Sequence, residues 1–198
     1  MLDGSAGVQT LDHVNVQDSD ADGGAQLVCL SGQTGVGEGC EDGGNTSNWF
    51  YGDSISGTVY TDNGVTNIGV GKLVSASVNG GAVGATDLTD SSGAFTIEGL
   101  TTTGGSILTL YLDGESQNAV TVVLASGNAM TNIDLYQNRL IVRSESGAAV
   151  VSGSTLKVAA DSGDSDISAI YSVKNSDDAV VLADGTTFHV WLPTEGRR

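Results

Sequence analysis

The chain has 198 residues, enough for one large β domain or two small ones, each able to bury a core. Seven Lys and Arg stand against 24 Asp and Glu, a net charge of -17, which excludes nucleic acid and anionic membrane as partners because both require a basic face. With 29 glycines, one proline and no run of helix formers, the composition describes short strands joined by tight turns, so the expected class is all-β.

Taken in chain order, the first region spans residues 1–53. It offers a strand at Val8–Gln17, a second at Ala25–Leu30, a Gly-rich loop between Cys29 and Cys40, and the aromatic run Trp49-Phe50-Tyr51. Residues 54–137 read as a compact sandwich, with strands at Ile55–Thr61, Leu73–Val78, Ala94–Glu98, Ile107–Leu112 and Val120–Ala125. Turn signals separate them: Asp62-Asn63-Gly64, Asn79-Gly80-Gly81, Ser92-Gly93 and Asp113-Gly114. Residues 138–198 give further strands at Leu140–Arg143, Thr155–Ala159, Ile170–Lys174, Val180–Leu182 and Thr187–Leu192. This spacing favours stacked β structure over α/β. No apolar run reaches the roughly 20 residues of a membrane span, and the first residues lack the basic and apolar segments of a signal peptide. The sequence therefore reads as a mature product or a piece of a longer protein, without membrane insertion.

The middle region has a recurring order: Ile55-Ser56-Gly57-Thr58-Val59-Tyr60-Thr61-Asp62-Asn63-Gly64, then Val74–Val78, then Thr89-Asp90-Ser91-Ser92-Gly93-Ala94-Phe95-Thr96-Ile97-Glu98-Gly99-Leu100. It resembles the carboxypeptidase-regulatory-like and Cna-B-like modules of bacterial or archaeal surface proteins over residues 54–137. The resemblance implies a prealbumin- or Ig-like β-sandwich, flanked here by further β segments, that serves as spacer, stalk or adhesin repeat and carries no catalytic residues. The stretch from Asn132 to Leu192 is similar to segments of very large bacterial surface proteins built from repeated β units. An intramolecular crosslink of the Cna-B type would involve Lys72 with Glu98, Asn132 or Asp134, but the opening strand Ile55–Thr61 lacks the lysine it needs.

Asp18-Ser19-Asp20-Ala21-Asp22-Gly23 is the sharpest local signal. Carboxylates at i, i+2 and i+4 followed by Gly present oxygens to one Ca²⁺, as the first half of an EF-hand loop does. Cys29 occupies the position of the closing Glu, so Asp12, Glu38, Glu41 or Asp42 would have to complete the shell; a solvated acidic turn is the alternative. Asp161-Ser162-Gly163-Asp164-Ser165-Asp166 is a second acidic cluster whose looser spacing favours a polar loop over a metal site. A Cys29–Cys40 disulfide would close the glycine loop, contribute about 3 kcal/mol, and place the chain in an oxidising compartment. His13 and His189 have no nucleophile and acid arranged around them in sequence, so an enzyme is not expected. Asn45-Thr46-Ser47 matches a glycosylation sequon.

The expectation is an extracellular structural module: a subunit or repeat of a surface fibre, filament, stalk or adhesin that self-associates or joins neighbouring repeats through β-strand contacts. One terminal strand, Val8–Gln17 or Thr187–Leu192, would pair with the adjacent unit to give a head-to-tail chain. The alternative is a carbohydrate- or partner-binding sandwich in which Trp49, Tyr51 or Trp191 stacks on a sugar ring.

Overall fold

A computed structural model describes residues 10–11, 15–16, 27–30, 41–42, 49–147, 150–174 and 178–191. Four short strands come first: β1 (Thr10–Leu11), β2 (Asn15–Val16), β3 (Leu27–Leu30) and β4 (Glu41–Asp42). Val8–Gln17, expected as one strand, supplies two, because β1 pairs with β3 while β2 pairs with β4 in a different sheet.

β5 (Trp49–Tyr60) is twelve residues long and has two sets of partners. Its start pairs parallel with β3, and from Asp53 onward it pairs antiparallel with β8 (Ala94–Leu100). β6 (Leu73–Val78), β7 (Val83–Leu88), β9 (Ile107–Leu112) and β10 (Val120–Leu124) follow the expected spacing, apart from β7, which the sequence reading passed over. β11 (Leu135–Tyr136), β12 (Arg139–Ser144), β13 (Tyr171–Val173), β14 (Val180–Leu182) and β15 (Thr187–Trp191) complete the strands. The fold is therefore mostly β and sandwich-like, as its composition suggests.

Two sheets form the main layers. One runs β1-β3-β5-β11, with β8 also on β5; the other is six-stranded, in the order β15-β12-β10-β9-β6-β7. Between them, Ile55, Val59, Phe95, Ile97 and Leu135 meet Val74, Leu108, Leu110, Leu112 and Val123 in one buried core. β5 runs through position 53/54, and β12 and β15 share a sheet with strands of the middle region, so the ladders cross both expected region boundaries.

Thr155–Ala159, expected as a strand, is instead the body of α1 (Gly153–Ala160), and a second helical turn, α2 (Ser165–Ser168), follows. Local chemistry accounts for the difference. The Ser152 side chain accepts from the Thr155 N–H while the Thr155 hydroxyl accepts from the Ser152 N–H, a capping box. Leu156 and Ala159, three residues apart, then fall on one helical face and are buried. They pack with Ile167, Ile170 and Tyr171 against Tyr111, Val120, Val122, Leu140 and Val142 on the outer face of the six-stranded sheet. The centre of that sheet is thus covered on both faces, and every residue of β10 is buried.

The motifs behind the resemblance have plain local roles. Asp90 Oδ1 accepts from the Ser92 N–H at 2.7 Å and the Ala94 N–H at 3.0 Å, closing the turn in which Gly93 adopts φ +74°. Phe95, Ile97 and Leu100 then enter the core. Asn79 and Gly80, at φ +52° and +68°, form the β6–β7 hairpin turn, as the Asn-Gly pair suggests.

Candidate functional site

The edges of the six-stranded sheet differ. At one end, β7 is tied to the facing sheet, since the Thr96 N–H of β8 donates to Asp87 Oδ2 of β7 at 2.6 Å. At the other end, β15 pairs parallel with β12, Leu140 opposite Phe188 and Val142 opposite Val190. Among the described residues no strand lies on its far side.

Burial falls away abruptly between these two partners. Leu140, Ile141 and Val142 of β12 are at most 4% exposed, whereas all five residues of β15 are exposed, with Phe188 at 43%, Val190 at 59% and Trp191 at 49%. Side chains alternate across a strand, so Phe188 and Val190 share the α1 side with Leu140 and Val142, while His189 and Trp191 share the inter-sheet side. Both covering layers therefore stop short of β15. On the α1 side the shortfall is a groove of about 430 Å³ lined by Val142, Val150, Leu156, Val180, Phe188 and Val190. On the other side the Arg143 guanidinium carbon lies 5.9 Å from the Trp191 ring centroid. Arg143 also pairs with Glu145 and donates to the Asn132 carbonyl.

A second cluster is acidic. Asp113 follows β9, Asp164 is the N-cap of α2 and Asp166 lies in its first turn; one oxygen from each falls within 4.8 Å of the others. Ser75 Oγ donates to Asp113 at 2.7 Å, the Tyr111 hydroxyl donates to Asp164 at 3.1 Å, and the Gly114 N–H donates to Asp166 at 2.8 Å. Burial, then the hydrogen bond and charge of Asp164, push the Tyr111 hydroxyl well above its usual range. No described Lys or Arg forms an ion pair with these carboxylates. Their oxygens suit a hard divalent cation, and the hydrogen bonds also hold the cluster without one. Two of its members come from the segment expected as a polar loop, and the third from a turn. Sequence spacing could not join them, because packing of α2 on β9 brings the two segments together.

Of the expected site residues, Asp18, Asp20, Asp22, His13 and Cys40 lie outside the described residues. Cys29, Trp49 and Tyr51 are placed by strand backbone alone: Cys29 pairs with Tyr51 in the β3–β5 register, and Trp49 with Leu27. Trp191 and His189 stand together on β15. Lys72 meets Glu115 at 2.8 Å, and Asp134 accepts from the Thr58 N–H at 2.8 Å.

No family model, curated protein or solved structure matches the chain. Among the described residues no helix is long and apolar enough to cross a membrane.

Proposed function

We propose that the chain is an extracellular structural module, a subunit or repeat of a surface fibre, filament, stalk or adhesin that joins its neighbours through β-strand contacts. The observation that carries this reading is β15, an edge strand with no partner on its far side among the described residues and three large apolar side chains in solvent. Edge strands that stay monomeric are usually blunted by inward charges, prolines or a covering element. Among the described residues β15 has none of these, whereas Asp87 fastens the opposite edge. The reading assigns no catalytic residue.

Light scattering and electron microscopy of the purified chain over a concentration series test it. Species that grow with concentration are expected, and Val190→Lys, which puts a charge on the open edge, is expected to leave monomers with an unchanged circular dichroism spectrum. A wild type that stays monomeric throughout would sink the proposal.

Half-exposed Trp191, on the inter-sheet face of β15, favours a second reading, a carbohydrate-binding module in which the indole stacks on a sugar ring. Retention on a glycan array, lost in Trp191→Ala, distinguishes that reading from self-assembly.

A further inference from the structure

Five segments meet in the groove beside β15. Val142 comes from β12, Phe188 and Val190 from β15, Leu156 from α1, Val180 from β14, and Val150 from the stretch between β12 and α1. The groove holds about 430 Å³, inside the range of about 300–1,000 Å³ usual for small-molecule sites, and apolar walls with few polar groups are the other mark of such sites. No Asp or Glu lines it, although the chain carries 24. Two of its polar side chains are already engaged. Ser152 Oγ accepts from the Thr155 N–H in the cap of α1, and Arg143 pairs with Glu145 and donates to the Asn132 carbonyl. Ser144 differs: its Oγ is buried with no hydrogen-bond partner, and of the three such side-chain atoms among the described residues it alone belongs to a residue lining the groove. Two positions from Val142 on β12, Ser144 shares its face of the sheet.

We infer that this groove binds a small uncharged molecule, mainly hydrocarbon, with one oxygen that hydrogen-bonds the Ser144 hydroxyl. The inference goes beyond the assembly reading and does not depend on it. A buried hydroxyl without a partner forfeits a hydrogen bond, and a ligand hydroxyl or carbonyl on this wall restores it. Charge decides against ionic ligands. An anion meets a chain of net charge -17 and a guanidinium already committed to Glu145, and a cation finds no carboxylate on the walls. A sugar fits these walls poorly as well, because one free hydroxyl cannot match its many, and the rest would lose water without replacement. The hydrocarbon part instead takes the place of water against Val142, Leu156, Val180, Phe188 and Val190.

The test titrates the full chain, its Val and Leu methyl groups ¹³C-labelled, with 1-octanol at fixed protein concentration. Saturable shifts are expected at Val142, Leu156, Val180 and Val190. None of matching size is expected at Val65 and Val70, which are 86% and 70% exposed between β5 and β6 and control for adsorption to any apolar surface. Octanoate is expected to bind about tenfold more weakly, since its charge has no free partner in the groove. Ser144→Ala is expected to bind octanol about fivefold more weakly while melting no lower than wild type, because alanine removes a hydroxyl that has no partner in the free protein. Shifts that never saturate, or that are as large at Val65 and Val70, would overturn the site. Equal binding of octanoate, or undiminished binding to Ser144→Ala, would overturn the chemistry assigned to the ligand. Groove methyl groups that ignore octanol but shift as the protein is concentrated would overturn the inference and leave the structural reading standing, since a second copy then covers the groove.

Discussion

Asp62 shows how one carboxylate can define a turn. Its Oδ1 accepts from the Val65 N–H at 2.8 Å and the Thr66 N–H at 2.9 Å, and the turn carries the chain out of β5. Thr66, through its backbone N–H first and its side chain next, and then Val65 hold the carboxyl down to about 2 from an ordinary 3.8. A carboxyl with a lower pKa in the folded state stabilises that state above its unfolded pKa, and the contribution disappears as pH falls through the folded value. Wild type is therefore expected to exceed Asp62→Asn in melting temperature above pH 4, with the gap closing between about pH 4 and 2. Asparagine keeps an acceptor oxygen, so the comparison isolates the charge, and the broader effect of neutralising a chain of net charge -17 is shared by both proteins. A gap constant from pH 5 to 2 would contradict the assignment. The turn itself was readable from Asp62-Asn63-Gly64; the depressed pKa was not, since it depends on which N–H groups the loop turns inward.

At the scale of elements, Gly57 in the middle of β5 marks where two segments come closest. The Ile133 N–H donates to the Ser56 carbonyl at 2.9 Å, and a Cβ on residue 57 would lie 2.2 Å from the Ile133 carbonyl oxygen. The obstacle is backbone, which cannot rotate aside as a side chain can. Gly57→Ala is expected to lower the unfolding free energy by about 2 kcal/mol or more, read as a lower urea midpoint at unchanged slope. An unshifted midpoint would mean that the Ile133 segment yields. Strand positions were largely readable from the sequence, because turn pairs such as Asn79-Gly80 and Asp113-Gly114 punctuate apolar runs. β9 and β10 carried a further signal that went unused: Ile107–Leu112 and Val120–Leu124 are apolar on both faces but for Thr109 and Thr121, the mark of strands covered on both sides, and they forecast the outer layer. α1 was misread because Thr155, Val158 and neighbouring residues favour strands by type. The helix is set by the Ser152 cap and the Leu156–Ala159 spacing instead. Thr187–Leu192 was expected as a strand able to pair with a neighbour, but the exposure of its apolar residues was not readable, since exposure depends on what the rest of the chain leaves uncovered.

For the whole molecule, the acidic excess makes cations the first reagent to vary. Should the Asp18-Ser19-Asp20-Ala21-Asp22 loop hold Ca²⁺ in the folded state alone, a hundredfold excess over the dissociation constant stabilises by about 2.7 kcal/mol, or about 5–10 °C in a chain of this size. The expected result is a melting temperature that rises by that amount from chelator to Ca²⁺ and does not rise in Asp20→Asn. A rise that survives in Asp20→Asn and is lost in Asp166→Asn would move the site to the cluster of Asp113, Asp164 and Asp166.

The last prediction concerns how much of the chain is needed for the sandwich to stand. The resemblance covers residues 54–137, and the core between the sheets draws its strands from that region. The outer face of the same strands does not: Tyr111, Val120 and Val122, all fully buried, are covered by Leu140, Val142, Leu156, Ile167, Ile170 and Tyr171, all of which come from residues beyond 137. Uncovering a buried apolar side chain costs about 1.5–3 kcal/mol, and three of them approach the about 5–15 kcal/mol by which a domain is stable at all. The fragment also loses β12, leaving the edge of β10 unpaired along five residues. Residues 54–137 alone are therefore expected to give a poorly dispersed amide spectrum and no cooperative melt, whereas residues 54–191 give both dispersion and cooperativity. A sharp, cooperative transition in the short fragment would show that the inter-sheet core suffices and that the helical layer is an addition to a self-standing sandwich.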